Sequence, residues 1–344
     1  MDEVNIDVSA IKQAGEIIKK GGLVAFPTET VYGLGGDALN PESSAKIYAA
    51  KGRPSDNPLI VHIANMEALD LIAQDISEAA LDLARAYWPG PLTMIFKKKA
   101  IVPQETTGGL HTVAVRMPCH QVALALIEAA GGYIAAPSAN VSGRPSPTLA
   151  EHVAADMNGR IDMIIDGGAV EIGLESTIVD MTAEQPLILR PGYITQKMLS
   201  DVLGYDVYYD KAILGVSSPD EHPRAPGMKY KHYAPAGEMM IVRGKPDEII
   251  AYINRCAQEK ALQGAKVGVI ATAETYLRYQ ADDVVNIGAR TDEEAIAAHL
   301  YAALRDFDEA GVTYIYSEEF DTPRIGQAIM NRLIRAAGHQ MIEV

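Results

Sequence analysis

The chain has 344 residues, 48% of them hydrophobic and 22% charged, with a formal net charge of −15 at neutral pH. That length suits two domains on a prior of roughly 100–200 residues each, and the balance excludes disordered, fibrous and collagen-like classes. So acidic a chain is poorly suited to tight non-specific binding of nucleic acid, which needs a Lys or Arg at each phosphate, although a local basic cluster can still hold a small anion in a cleft.

No apolar run approaches the roughly 20 residues that cross a bilayer, so no membrane association is expected. Met1-Asp2-Glu3-Val4-Asn5 lacks the basic and apolar regions of a secretory signal. The two cysteines, Cys119 and Cys256, lie too far apart in sequence to suggest a thiolate metal site or a disulfide framework. A cytoplasmic location follows as the expectation.

In chain order, Ser9 is expected to cap a helix running through Lys20, ended by Gly21-Gly22, and Leu23–Phe26 reads as a buried strand. The block Phe26-Pro27-Thr28-Glu29-Thr30-Val31-Tyr32-Gly33-Leu34-Gly35 then runs from strand to hydroxyls to glycines that let backbone approach a ligand. Read blandly, the block is a tight turn. Gly33-x-Gly35-x-x-Ala38 resembles a dinucleotide fingerprint, but Pro41 would interrupt the helix that must follow directly. Asn40-Pro41 is instead an N-cap with proline at the first helical position, opening a helix toward Ala50.

The second block is Lys51-Gly52-Arg53-Pro54-Ser55-Asp56-Asn57-Pro58, before a strand at Leu59–Ile63 that holds His62. Two cations on a proline-stiffened loop suit phosphate recognition, Arg as a planar fork and Lys as a point charge. Alone, Lys51 reads as a solvated cation at a helix C-terminus, and His62 as a satisfied core residue. Further strands are expected at Leu92–Phe96, Thr112–Met117, Tyr133–Ala136, Met163–Ile165, Thr177–Val179 and Leu187–Leu189, several of them apolar on both faces.

A third block, Pro137-Ser138-Ala139-Asn140-Val141-Ser142-Gly143-Arg144-Pro145-Ser146-Pro147-Thr148, offers hydroxyl, amide and guanidinium donors suited to ribose, phosphate or carboxylate. Thr148 is also a candidate cap for the next helix. Arg116 at a strand end, Glu175-Ser176-Thr177 and Arg190-Pro191-Gly192 join these blocks. Ser138 is not in a G-x-S-x-G elbow, the histidines lack HExxH spacing, and no P-loop is present.

From Tyr205 to Ala236 the pattern breaks into Pro219, Pro223, Pro226 and Pro235 with Gly215 and Gly227, an extended linker. Within it Arg224-Ala225-Pro226-Gly227-Met228-Lys229-Tyr230-Lys231-His232-Tyr233-Ala234-Pro235 is basic and aromatic, either a spacer or a lid over an anionic ligand. Alternation then returns: strands at Met239–Val242, Lys266–Ala271, Val284–Ile287 and Thr313–Tyr316, with helices near Pro246–Gln263, Thr272–Tyr279, Asp292–Ala310 and Pro323–Ala337. Such alternation predicts a parallel, Rossmann-like sheet. The expected organisation is α/β throughout: a mixed open twisted sheet domain at 1–205, a linker or lid at 206–236, and a smaller Rossmann-like domain at 237–344.

Pro27–Gly35, Lys51-x-Arg53, Ser138-x-Asn140 and the linker Ser218–Pro235 together resemble the threonylcarbamoyl-AMP synthase family in its long form, with a YrdC-type first domain. The resemblance implies a nucleotidyltransferase that joins L-threonine, bicarbonate and ATP into threonylcarbamoyl-AMP and pyrophosphate. It implies that Lys51, Arg53, Asn57, Thr112, Ser138, Asn140, Ser146 and Arg190 surround ATP, with Lys51 and Arg53 catalytic. It implies that Thr30, His62, Arg116 and Ser176 contact threonine. Arg224, Lys229, Tyr230, Lys231, His232 and Tyr233 would form the lid. Mg2+ would arrive with ATP and need no protein ligand or organic cofactor. The product would pass to a separate transferase acting on adenosine 37 of tRNA, and tight direct tRNA binding is not expected. The competing readings are an RNA-binding module on the same surface and an enzyme making another carbamoyl adenylate or transferring carbamoyl groups.

Overall fold

The computed structural model describes residues 7–214, 223–226, 232–320 and 322–344. The chain divides into two compact units, one of Met1–Ser142, Pro147–Glu171 and Glu175–Tyr230, the other of Gly143–Ser146, Ile172–Leu174 and Lys231–Val344. Two short segments that precede residue 205 thus belong to the second unit, which no feature of their sequence announces.

In the first unit the helices are α1 (Val8–Lys19), α2 (Pro41–Lys51), α3 (Glu67–Ile72), α4 (Glu78–Tyr87), α5 (Gln121–Ala129), α6 (Ala150–Met157) and α7 (Gln196–Leu203). Its strands are β1 (Val24–Phe26), β2 (Gly33–Asp37), β3 (Ile60–His62), β4 (Ala73–Gln74), β5 (Leu92–Lys98), β6 (Thr112–Arg116), β7 (Ile134–Ala135), β8 (Met163–Ile164), β9 (Thr177–Asp180), β10 (Leu187–Arg190) and β11 (Tyr208–Tyr209). They form one mixed sheet in the order β11-β10-β9-β5-β6-β3-β7-β2-β1-β8, with β4 paired to β5.

Side chains alternate across a strand, and that alternation divides this sheet's surroundings. Val61, Met94, Phe96, Val113, Val115 and Val179 point into one core with residues of α2, α3, α4, α6 and α7. On the opposite face, α1 and α5 cover Val24, Phe26 and Ile134. Farther along that face, beside β3, β6, β5, β9 and β10, stands a smaller apolar group of Ile60, Ile95, Ala114, Ile178 and Leu189. The chemistry gathers around that group.

Local signals explain several elements and correct others. Asn40 caps α2 by accepting the Glu42 N–H at 2.9 Å, with Pro41 at the first position. Asp7, not Ser9, caps α1, because its carboxylate accepts the N–H groups of Ser9 and Ala10. Thr148 caps nothing; it bonds His152 Nδ1, and Leu149 precedes α6. Gly33–Asp37 is a strand antiparallel to β1, so the fingerprint-like glycines are sheet backbone and not a phosphate loop. Gly35 fits because a Cβ there would stand 2.8 Å from Ile134 and 2.9 Å from Phe26.

The second unit holds β12 (Glu238–Arg243), β13 (Val267–Ala271), β14 (Asp283–Asn286), β15 (Tyr314–Glu318) and β16 (Met341–Glu343), all parallel, in the order β14-β13-β15-β12-β16. Its helices are α8 (Pro246–Leu262), α9 (Glu293–Glu309) and α10 (Gly326–Ala336). The helix expected over Thr272–Tyr279 shrinks to a short 3-10 turn at Tyr276–Arg278. There the Thr275 hydroxyl bonds Glu318 and the Thr272 hydroxyl, and such side-chain bonds compete with helical ones. The strand at Tyr208–Tyr209 pairs with β10, so regular structure extends past 205 into the stretch expected to be linker. No helix among the described residues is long and apolar enough to cross a membrane.

Candidate active site

Lys51 closes α2, and Gly52 in the left-handed conformation (φ 61°) turns the chain out of the helix. The lysine is not solvated: it is 1% exposed. Its Nζ donates to the Asn140 carbonyl at 2.5 Å and to the Ser138 carbonyl. The Asn140 side chain accepts from the Ser138 hydroxyl at 2.5 Å and donates to Val141 O at 2.8 Å. Lys51, Ser138 and Asn140 therefore form one locked cluster. Arg53 is spent on its own loop, Nε donating to Asn57 O at 3.2 Å and Nη2 to Pro58 O at 3.1 Å. Asn57 is almost fully buried, yet its Oδ1 has no hydrogen-bond partner among the described residues. A buried acceptor left open is uncommon in a finished core.

The ends of β3 and β6 carry the second cluster. His62 and Arg116 are directly opposed in the parallel pairing of these strands, and Thr93 opposes Arg116 from β5. All three side chains consequently share the sheet face beside the small apolar group. Arg116 is 4% exposed. Its Nη1 donates to Thr30 Oγ1 at 2.8 Å and its Nε to Gly90 O at 3.4 Å, while Nη2 lies 2.7 Å from Glu29 Oε1. The hydroxyl hydrogen of Thr28 goes to Val31 O at 2.6 Å, so in the 2.9 Å contact between the two threonines Thr30 donates to Thr28. Thr30 thus has no hydrogen left to give a ligand and can only accept.

His62 stays neutral. Burial, then the charge of Arg116, push it down from the usual 6.5 to about 3. In the unfolded chain it takes up a proton near pH 6.5, so its contribution to stability is complete above that pH and is lost as pH falls toward 3. At about 1.4 kcal/mol per unit, roughly 3 kcal/mol disappears between pH 6.5 and 4. Urea midpoints of wild type and His62→Gln should therefore converge as pH is lowered over that range. Parallel pH dependence in the two proteins would remove His62 as the cause.

A third cluster links β5, β9 and β10. Ser176 Oγ lies 2.7 Å from Thr93 Oγ1 and accepts from Arg190 Nη2 at 3.1 Å, while Arg190 Nε donates to Ser176 O at 3.0 Å. Gly192 is required here: a Cβ would fall 2.5 Å from Thr177 N and 2.8 Å from Glu175 O. Of the linker, Ala225 is fully buried against the apolar group of Ile60, Ile95, Ala114, Ile178 and Leu189. Arg224 beside it pairs with Asp180 at 3.2 Å and with Asp210.

The sites expected from sequence are thus only partly gathered. Thr30, His62 and Arg116 meet, as do Ser176 with Arg190, and Lys51 with Ser138 and Asn140. Thr112 lies at the far end of β6, roughly 13 Å along the strand from Arg116, at the edge of an open cavity of about 640 Å³ also lined by Lys97, Lys98, Lys99, His111 and Thr182. Ser146 belongs to the second unit. Of the lid residues, Lys229, Tyr230 and Lys231 lie outside the described residues. In the second unit Tyr233 stacks on Tyr301 at 5.3 Å and adjoins His232 at 5.6 Å. Glu29, Thr93 and Ala225 were missed as partners in the site. Glu29 and Ala225 lie inside the Phe26–Gly35 and Arg224–Pro235 blocks, which mark their segments but not their roles, and Thr93 carries a local signal of its own, a hydroxyl inside an otherwise apolar strand.

The Sua5–YciO–YrdC family model, described as telomere recombination, matches residues 16–192. The model described as the threonylcarbamoyl-AMP synthase C-terminal domain matches residues 194–338. The threonylcarbamoyl-AMP synthase of Pyrococcus abyssi is 47% identical over 334 residues, covering 97% of this chain and 96% of that protein. That of Bacillus subtilis is 48% identical, covering 99% and 96%. The crystal structure of P. abyssi Sua5 complexed with L-threonine superimposes with a TM-score of 0.93 at 46% identity, over 99% of this chain and 97% of that one. Fold and motifs define a two-domain protein of the Sua5–YciO–YrdC type. Within that type, the chain belongs to the threonylcarbamoyl-AMP synthase family, whose members are nucleotidyltransferase-type enzymes.

Proposed function

We propose that this protein makes threonylcarbamoyl-AMP from L-threonine, bicarbonate and ATP, and that the threonine and nucleotide sites share one face of the first sheet. The observation that carries the reading is the convergence of Arg116, His62, Thr30 and the Ser176–Arg190 pair at the edge of an apolar patch. A buried guanidinium suits an amino-acid carboxylate, and an apolar floor flanked by donors suits a nucleoside.

In the proposed reaction the threonine amine attacks the carbon of bicarbonate and water is lost, giving a carbamate. A carbamate oxygen then attacks the α-phosphorus, the bond to the β-phosphate oxygen breaks, and pyrophosphate leaves. Such a displacement depends on in-line placement and charge neutralisation more than on a strong base. Arg116 and Ser176 would hold threonine, with Thr30 accepting from its ammonium or hydroxyl and neutral His62 packing beside it. Lys51, Arg53, Asn57, Thr112, Ser138, Asn140 and Arg190 of the first unit would surround ATP. Because Lys51 and Arg53 are hydrogen-bonded to backbone carbonyls, their charges are fixed in position before the nucleotide arrives.

Among the described residues no group of three or more His, Cys, Asp or Glu is placed to hold a metal ion. The Lys51–Pro58 loop brings the cations Lys51 and Arg53 together with oxygen ligands on Ser55, Asp56 and Asn57, a set that suits phosphates carrying their own Mg2+. The metal would supply neutralisation of phosphate charge. Arg224, at the start of the segment read from the sequence as a lid, would help to shield the adenylate, whose hydrolysis a lid suppresses. The product would pass, in the cytoplasm, to a transferase that modifies tRNA.

The test is pyrophosphate release from ATP and Mg2+ by the purified protein, omitting threonine and bicarbonate in turn, with mass spectrometry of the product. Release should need both and yield a threonylcarbamoyl adenylate. Release that needs neither would overturn the proposal.

A further inference from the structure

Glu29 is a buried carboxylate beside the Arg116 guanidinium that the proposed chemistry leaves unused. It is 2% exposed, sits in the loop after β1, and is oriented by the Cys119 N–H, which donates to its Oε2 at 3.3 Å. Its Oε1 faces Arg116 Nη2 at 2.7 Å, both side chains being shielded from water. Among the described residues, neither Nη2 nor Oε1 has an aligned hydrogen-bond partner. The two are therefore held together by charge, and the N–H directions of Nη2 stay available to another acceptor. Of the guanidinium's remaining nitrogens, Nε and Nη1 are tied to Gly90 O and Thr30 Oγ1.

We propose that Glu29 is a positioning residue for substrate binding: it fixes the Arg116 guanidinium so that its unspent N–H groups meet the carboxylate of the incoming amino acid. The proposal rests on the reading that Arg116 binds that carboxylate. Three anchors on two segments, Glu29 and Thr30 in the loop after β1 and Gly90 just before β5, hold the planar fork, and Glu29 is the only one of them that carries charge. Without it, a buried cation would turn toward whatever oxygen or water could compensate it, and the fork would no longer be preset. Glu29 acts through Arg116, so its removal should weaken threonine binding and leave the nucleotide site alone.

Calorimetric titrations of L-threonine and, separately, ATP into the full-length protein test this, together with threonine KM and kcat. Glu29→Gln should weaken threonine binding and raise its KM at least about tenfold, with ATP affinity and saturated kcat within about threefold of wild type. Glu29→Asp, which keeps the charge on a shorter arm, should recover part of the affinity, and it carries the test if the glutamine variant does not fold. In an Arg116→Gln background, the Glu29→Gln change should add no further loss of threonine affinity. Wild-type threonine affinity in Glu29→Gln would overturn the proposal. So would a fall in kcat with an altered pH profile and unchanged threonine affinity, which would make Glu29 a proton acceptor instead. Failure of the wild-type protein to bind threonine at all would overturn the functional reading itself.

Discussion

Lys51→Ala should lose both stability and turnover, and by different routes. The ammonium is the hydrogen-bond donor that reaches two loop carbonyls, Ser138 O and Asn140 O, from the end of α2. Removing it leaves two acceptors without that donor in a place where the lysine was 1% exposed. Each orphaned group costs about 1–3 kcal/mol, so a loss of roughly 2–6 kcal/mol is expected in urea unfolding, toward the lower end because a buried charge is removed with the donor. The Ser138–Asn140 loop would also lose its tie to α2. If Lys51 further contributes charge to the nucleotide, pyrophosphate release should fall at least about tenfold at temperatures where the variant is folded. A stable variant with unchanged turnover would remove Lys51 from both roles. Reduced stability with normal turnover would leave it a clamp only.

Arg116→Ala should be the more damaging change to the fold. It strands Glu29, a carboxylate in a site with almost no water, and breaking a buried ion pair from one side typically costs about 3–5 kcal/mol. It also frees Thr30 and removes the guanidinium proposed to meet threonine, whose binding should weaken roughly 10- to 100-fold on the scale of a charge-assisted hydrogen bond. The two effects separate in the double variant Arg116→Ala, Glu29→Gln. Stability should recover in part because no buried charge is left alone, whereas threonine affinity should not. Equal stability of the single and double variants would show that Glu29 is not stranded by the loss of Arg116.

The division between readable and unreadable features follows interaction range. The Asn40-Pro41 start and Gly52 end of α2 were legible because caps act within a few residues. The α1 cap was misplaced by two residues for a related reason: Asp7 and Ser9 are both competent, and the carboxylate takes the N–H groups. The Gly33-x-Gly35 spacing was locally ambiguous between phosphate loop and strand. Pairing with β1, and the crowding of Gly35 by Ile134 and Phe26, resolved it.

The sequence by itself determined an acidic, two-domain α/β chain, the motif blocks and the family, because composition, turn chemistry and apolar runs are carried by neighbouring residues. Only tertiary structure decided what the polar residues of those blocks touch. Lys51 reads as a surface cation until a loop nearly ninety residues away brings carbonyls to it. Glu29 reads as one acid among 45 Asp and Glu until Arg116, 87 positions on, lies 2.7 Å from it. The physical reason is strand register: pairing β3, β6 and β5 sets His62, Arg116 and Thr93 in one row on one face, and no local propensity records that alignment.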